Sequence, residues 1–326
     1  MKVAEFLEKR RPNWTELDNL CSQVQPGKKL PPATITRFAA LYRAACADLA
    51  LADAYQLPPI TIRYLHRLVG RSHTCLYRSR VFRYSDWPRL LLHDVPRQVF
   101  SDRCVQAMFV LFWAIFISSA VIAANPKIWP GYAETVMGTA MMEQLDSSFS
   151  EPLGRRSFEA NMMMAGFYIQ HNAGIGLICF ATSVLIIPGI IETIFEAAAL
   201  GASFGYMSQP GQAGSANFYA FVTAHAPFEL TAIVLSAGAG LRIGMGWIHT
   251  KGLTRLDSLR KTGAETMPIM GSAIVMFILA AFVEGFISPF ALPLIVKGTI
   301  ATLCSGMLLF YFVVLGFPRS GSSATG

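Results

Sequence analysis

Between residues 105 and 124 the chain reads VQAMFVLFWAIFISSAVIAA, twenty residues without a charge. At 1.5 Å per residue a helix of that length covers roughly 30 Å, the thickness of a bilayer's hydrocarbon core. In lipid only a helix or a closed barrel satisfies its own backbone polar groups. Runs of the same kind recur at about 167–187, 189–207, 226–248, 268–288 and 293–315. The expected fold is therefore all-α: a polytopic integral membrane protein of about six transmembrane helices, preceded by an N-terminal helical domain.

Charge is distributed unevenly along the chain. Residues 1–104 hold 17 of the 27 Lys and Arg and 9 of the 20 Asp and Glu, net +8, which leaves 10 and 11 for the remaining residues. The sequence divides on this basis into a basic helical domain at 1–104, a membrane domain at 105–318 and a short tail at 319–326. Basic residues near span ends are retained in the cytoplasm. The end of the N-terminal domain and the loop HTKGLTRLDSLRKTGAET are basic, whereas residues 125–166 carry three basic and five acidic side chains. Both termini are thus expected in the cytoplasm of a bacterial inner membrane, with 125–166 outside. MKVAEFLEKRRPNW has no apolar core before its charges begin, so no secretory signal peptide is expected there. The six cysteines show no paired metal-type spacing and read as small, reduced hydrophobic residues.

In the N-terminal domain, Phe38, Leu41, Tyr42, Ala45, Leu49 and Ala52 recur at spacings of three and four, an amphipathic stripe. Arg63, Arg67, Arg71, Arg78, Arg80 and Arg83 follow, close in sequence to the bilayer, where anionic headgroups would attract them. A domain tethered beside lipid is not expected to bind nucleic acid. In the outer segment, ETVMGTAMMEQLD places Val136, Met137, Ala140, Met141 and Leu145 on one helical face and Glu134, Glu143 and Asp146 on another. Such a helix can lie at the interface, meet a partner or pack on its own protein.

The ionisable residues within the spans carry most information, because each costs about 2.5–3.5 kcal/mol at mid-membrane when charged. They are His171, Glu192, Glu196, His225, Glu229, Arg242 and Glu284, with Asn172 beside the first. His171, Asn172, Glu192, Glu196, His225, Glu229 and Glu284 are expected to form an intramembrane polar cluster: a packed hydrogen-bond network, a proton or ion path, or a metal site. His225 and Glu229 share a face if Pro227 lies in the first turn of its helix. Arg242 lies thirteen residues beyond Glu229, roughly 20 Å along the same helix. It is expected to reach cytoplasmic headgroups together with Arg255, Arg260 and Lys261. Gly238, Gly240 and Gly244 are expected at close helix contacts, the last two at a Gly-x-x-x-Gly spacing.

No phosphate loop, nucleophile elbow or His-Glu-x-x-His motif occurs, so no cofactor and no enzymatic activity is expected, and no residue is assigned to a metal. IQHNAGIGLICFATSVLIIPGIIETIFEAAALGASFGY, HAPFELTAIVLSAGAGLRIG and AFVEGFISP resemble the stage II sporulation protein M family, as does LYRAACADLALADAYQLPPITIRYLHRLVGRSHTCLY its longer branch. Asn172, His225, Glu229 and Glu284 occupy the family's polar positions. The resemblance implies a membrane anchor for peptidoglycan-remodelling hydrolases in sporulating members. In the longer members it implies company with AAA-type ATPases and von Willebrand A-domain proteins. The function expected from it is a non-enzymatic scaffold for cell-envelope remodelling, able to form a homo-oligomer. The alternative is a proton- or ion-coupled small-solute permease using the Glu/His residues.

Overall fold

The computed structural model of the chain describes residues 3–23, 31–76, 87–154 and 157–318. All regular structure among the described residues is helical, and the chain is an all-α polytopic membrane protein. It divides into two compact units, Met1–Asp86 and Trp87–Gly326.

The first unit contains α1 (Val3–Gln23), α2 (Pro32–Ala54) and α3 (Pro59–Leu76), which pack on one another. Phe38, Leu41, Ala45 and Ala52 of the α2 stripe are buried with Trp14, Leu17 and Cys21 of α1 and Leu65 and Leu68 of α3, while Tyr42 and Leu49 are half-buried against them. Asp48 interrupts this apolar face. It is buried because Arg10 Nε (2.7 Å) and Trp14 Nε1 (2.8 Å) donate to its two carboxylate oxygens, so the charge is both paired and hydrogen-bonded. At the surface, Arg37 Nε donates to Glu16 Oε1 at 2.8 Å and links α2 to α1. This hydrogen bond holds the Glu16 carboxyl below the usual carboxylate range.

The second unit begins before the change in composition at residue 104. A short turn, α4 (Trp87–Arg89), leads through a π-helical turn at Leu90–Asp94 into α5 (Val95–Ser101). This stretch packs on the end of the last helix: Tyr311 donates its hydroxyl to the Leu91 carbonyl at 2.7 Å, and Phe100 meets Phe317 edge-on. Residues 87–104 therefore belong with the membrane helices in packing, although their charge resembles that of the first unit.

The long helices of the second unit, α7 (Tyr132–Ser150) apart, are α6 (Arg103–Ala124), α8 (Phe158–Val184), α9 (Ile187–Met207), α11 (Ala226–Ile248), α12 (Arg255–Phe286) and α13 (Leu294–Leu309), the last continued by a π-helical turn at Phe310–Val314. Five of these six are long and apolar enough to cross a bilayer by length and composition. The sixth, α8, carries Asn161, Gln170, His171 and Asn172 along its length and packs against α9, α11 and α12. Of the five, α11 is the most enclosed, with every residue from Ala232 to Gly240 buried. It touches α6, α8, α12 and α13. Its glycines permit this: a methyl group added at Gly238 would lie 2.7 Å from Val105 Cα, at Gly240 2.1 Å from the Phe180 carbonyl oxygen, and at Gly244 2.5 Å from the Val184 carbonyl oxygen. Gly201 and Gly205 play the same part where α9 lies against α6.

Between α6 and α8 the segment expected outside forms α7 (Tyr132–Ser150), which packs on α9 and breaks at Gly138, where φ is +77° and ψ 158°. The break divides the expected apolar face. Val136 and Met137 meet the Ala123, Ala133 and Ala202 patch, as does Met142, while Ala140 and Met141 are exposed. Asp146 accepts a hydrogen bond from Tyr206 of α9 at 2.8 Å. α7 is thus seated on its own protein for much of its length. The short α10 (Ser215–Val222) precedes α11 and carries Phe218 and Phe221 against Phe149.

Candidate functional site: a buried His, Glu, Glu cluster

The α11 helix starts at Ala226, with Pro227 inside its first turn, a position that costs proline no hydrogen bond. His225 is the residue before the first turn, and one turn places Glu229 on the same side, with Nε2 of His225 3.5 Å from the Glu229 carboxylate. The last turn of α12 brings Glu284 to the same place. One donor atom each from His225, Glu229 and Glu284 lies within 4.8 Å of the others.

Each outer member of this trio is held by a neighbour. His225 Nδ1 shares a hydrogen bond of 2.9 Å with Ser288 Oγ, just beyond α12, and Asn172 Nδ2 of α8 donates to Glu284 Oε2 at 3.2 Å. The Phe221 ring stands edge-on to the imidazole at 5.6 Å. His225, Asn172, Glu284 and Ser288 are buried, and the Glu229 side chain retains 17% exposure. Three helices, the residue before α11 and the chain just after α12 thereby converge on one pocket of polar atoms. Two carboxylates this close and this buried are compatible only if they share positive charge or a proton.

Lys297 lies beside the trio. Its side chain is fully buried, and Nζ donates to the Ser288 carbonyl at 2.7 Å, so α13 is tied to the end of α12. Its charge lies within electrostatic range of His225, and Glu196 of α9 is within range of Glu229. Lys297 and Ser288 are not among the residues expected from the sequence. Lys297 stands near the start of an apolar run, where lysine ordinarily reaches out to headgroups. Only the return of the chain after α12 reveals that it turns inward.

Of the remaining expected members, Glu192 and Glu196 are half-buried on α9 and stand outside the trio. His171 requires a correction. It is exposed and stacks on Phe167 at 5.8 Å, while Asn172 is buried. Successive residues on a helix diverge by about 100°, so the two neighbours cannot face the same pocket.

A second polar group lies at the opposite end of α11. Arg242 pairs with Asp102, which precedes α6, and with Glu265 of α12 at 3.3 Å. Asp102 also caps α6 by accepting from the Cys104 and Val105 amides at 2.9 and 3.1 Å. Arg242 is therefore a protein-bound cation, which differs from the expectation that it reaches headgroups. Arg255, Arg260 and Lys261 are exposed, with the Arg255 guanidinium 5.3 Å from the Trp247 ring centre.

Residues 108–289, more than half of the chain, match stage II sporulation protein M, and the chain belongs to that family of membrane proteins. Residues 4–78 match a separate domain of unknown function, DUF8413, within the three-helix unit. No curated protein and no solved structure matches the chain.

Proposed function

We propose that this protein is a non-enzymatic scaffold of the bacterial inner membrane that gathers cell-envelope remodelling proteins, with both termini in the cytoplasm. The observation that carries this reading is the use made of the intramembrane polar groups. Asn172 is bonded to Glu284, His225 to Ser288, Lys297 to the Ser288 carbonyl, and Arg242 to Asp102 and Glu265. These links fasten helices to one another, as a rigid anchor requires. The family's name, with its reference to sporulation, supports a role at the envelope. Separate matches for the two units support a membrane anchor joined to a docking domain. The basic loop after α11 favours the cytoplasmic side for Arg255, Arg260 and Lys261, which puts the His225 cluster in the outer half of the bilayer.

Affinity purification of the full chain from mild detergent tests the reading. Peptidoglycan hydrolases, AAA-type ATPases or von Willebrand A-domain proteins are the expected companions, and Glu229→Gln is expected to reduce their recovery. Absence of any envelope protein from the purified material would defeat the reading. Proton or solute flux in reconstituted vesicles between about pH 5 and 8 would instead favour a permease.

A further inference from the structure

We propose that His225, Glu229 and Glu284 form a binding site for a divalent first-row transition cation of the zinc or manganese type. The inference is independent of partner recruitment and rests on the pocket itself.

Zinc binds imidazole nitrogen at about 2.0–2.1 Å and carboxylate oxygen at about 2.0–2.2 Å, so atoms that share one ion lie roughly 3–4 Å apart. Nε2 of His225 is already 3.5 Å from the Glu229 carboxylate, and the whole trio spans at most 4.8 Å. Small side-chain rotations therefore close the three onto one ion. One imidazole and two carboxylates is a nitrogen and oxygen donor set suited to zinc or manganese and lacks the thiolates that select softer ions.

The surrounding contacts are of the kind that prepare ligands. A metal-bound histidine usually engages its other nitrogen in a hydrogen bond, which fixes the tautomer and the ring orientation. Here Ser288 takes Nδ1 and leaves Nε2 turned toward Glu229. Asn172 orients Glu284 through Oε2 in the same way. Charge supplies a further argument. Glu229 and Glu284, enclosed beside each other, need a proton or positive charge between them, and a divalent ion supplies that charge. Because the ligands come from the start of α11, the residue before it and α12, and Asn172 from α8, a bound ion would tie three helices through one centre.

The test uses the full chain in mild detergent, carried by a tag without histidine and purified without chelator. Elemental analysis is expected to find about one zinc or manganese per chain. After stripping with chelator, titration with Co²⁺ is expected to give visible absorption bands that saturate at about one equivalent and are displaced by Zn²⁺. Combined His225→Ala and Glu284→Gln substitution should abolish saturation, and Glu192→Gln should leave it unchanged. Asn172→Leu should weaken binding by about 10–100-fold, the usual effect of losing a ligand's outer partner. Failure of the stripped wild-type chain, still helical by circular dichroism, to bind Co²⁺ or Zn²⁺ saturably would overturn the proposal, whatever the variants do. So would equal binding by a folded double variant. Partner recovery can succeed or fail in either case, so the two readings are separable.

Discussion

At the scale of single residues, glycines with and without room for a side chain make opposite predictions. Gly240 faces the Phe180 carbonyl so closely that an added methyl cannot fit, while nothing lies within 4 Å of the methyl position at Gly174. Gly240→Ala should cost about 1–3 kcal/mol by overpacking. Gly174→Ala should be neutral or gain up to about 1 kcal/mol from helix propensity. Unfolding midpoints of the two variants in the same detergent check the contrast, and equal midpoints would contradict the packing described. Asp48→Ala should cost about 3 kcal/mol, toward the low end for a buried pair because Arg10 is partly exposed. Faster proteolysis within residues 1–86 of the full chain is the readout. Spacing within one helix made Gly240 and the His225/Glu229 pair legible from sequence alone. Lys297, Ser288 and Asp48 escaped it because their partners lie outside their own helix or turn, and nothing local distinguishes an inward lysine from an anchoring one. His171 shows the converse, since adjacency to Asn172 in sequence turns it about 100° away, onto an exposed face of the helix.

At the scale of helices, ends carry much of the specificity. Asp102 both caps α6 and receives Arg242 from α11. Asp102→Asn keeps a cap oxygen and loses the charge, whereas Asp102→Ala loses both, so the difference between them should be about 1 kcal/mol. A double-mutant cycle with Arg242→Ala should give a coupling of about 0.5–3 kcal/mol, and additivity would deny the contact. The link between α1 and α2 predicts a pH response. The Glu16 carboxyl is lowered in the folded chain, so its contribution is present above the ordinary carboxylate range and is lost as pH falls through the lowered value. The pair is exposed, so the effect should be small and screened by salt. Acid titration of wild type and Glu16→Gln, followed by protease sensitivity of the first unit, should show the two converging at low pH. The spans were legible as apolar runs. The break in α7 was not, because its pattern continues across Gly138 while the backbone does not.

At the scale of the whole molecule, orientation and assembly can be checked together. In a cysteine-free background, Gly154→Cys should react with an impermeant thiol reagent from outside the cell, and Lys251→Cys only after the membrane is opened. The reverse pattern would invert the proposed topology and move the His225 cluster to the cytoplasmic half. The division into two units was legible as a change in charge, but its place was not, because residues 87–104 share the composition of one unit and the contacts of the other. One further consequence concerns α11. It carries His225 and Glu229 at its start and Arg242 near its end, with Gly238, Gly240 and Gly244 on the same helix. A slide of one residue, about 1.5 Å, would misalign both polar ends and drive the backbone of α8 against side chains that now clear it. The alignment of the bundle is thus fixed along one axis, and α11 serves as the datum from which the positions of its neighbours are set.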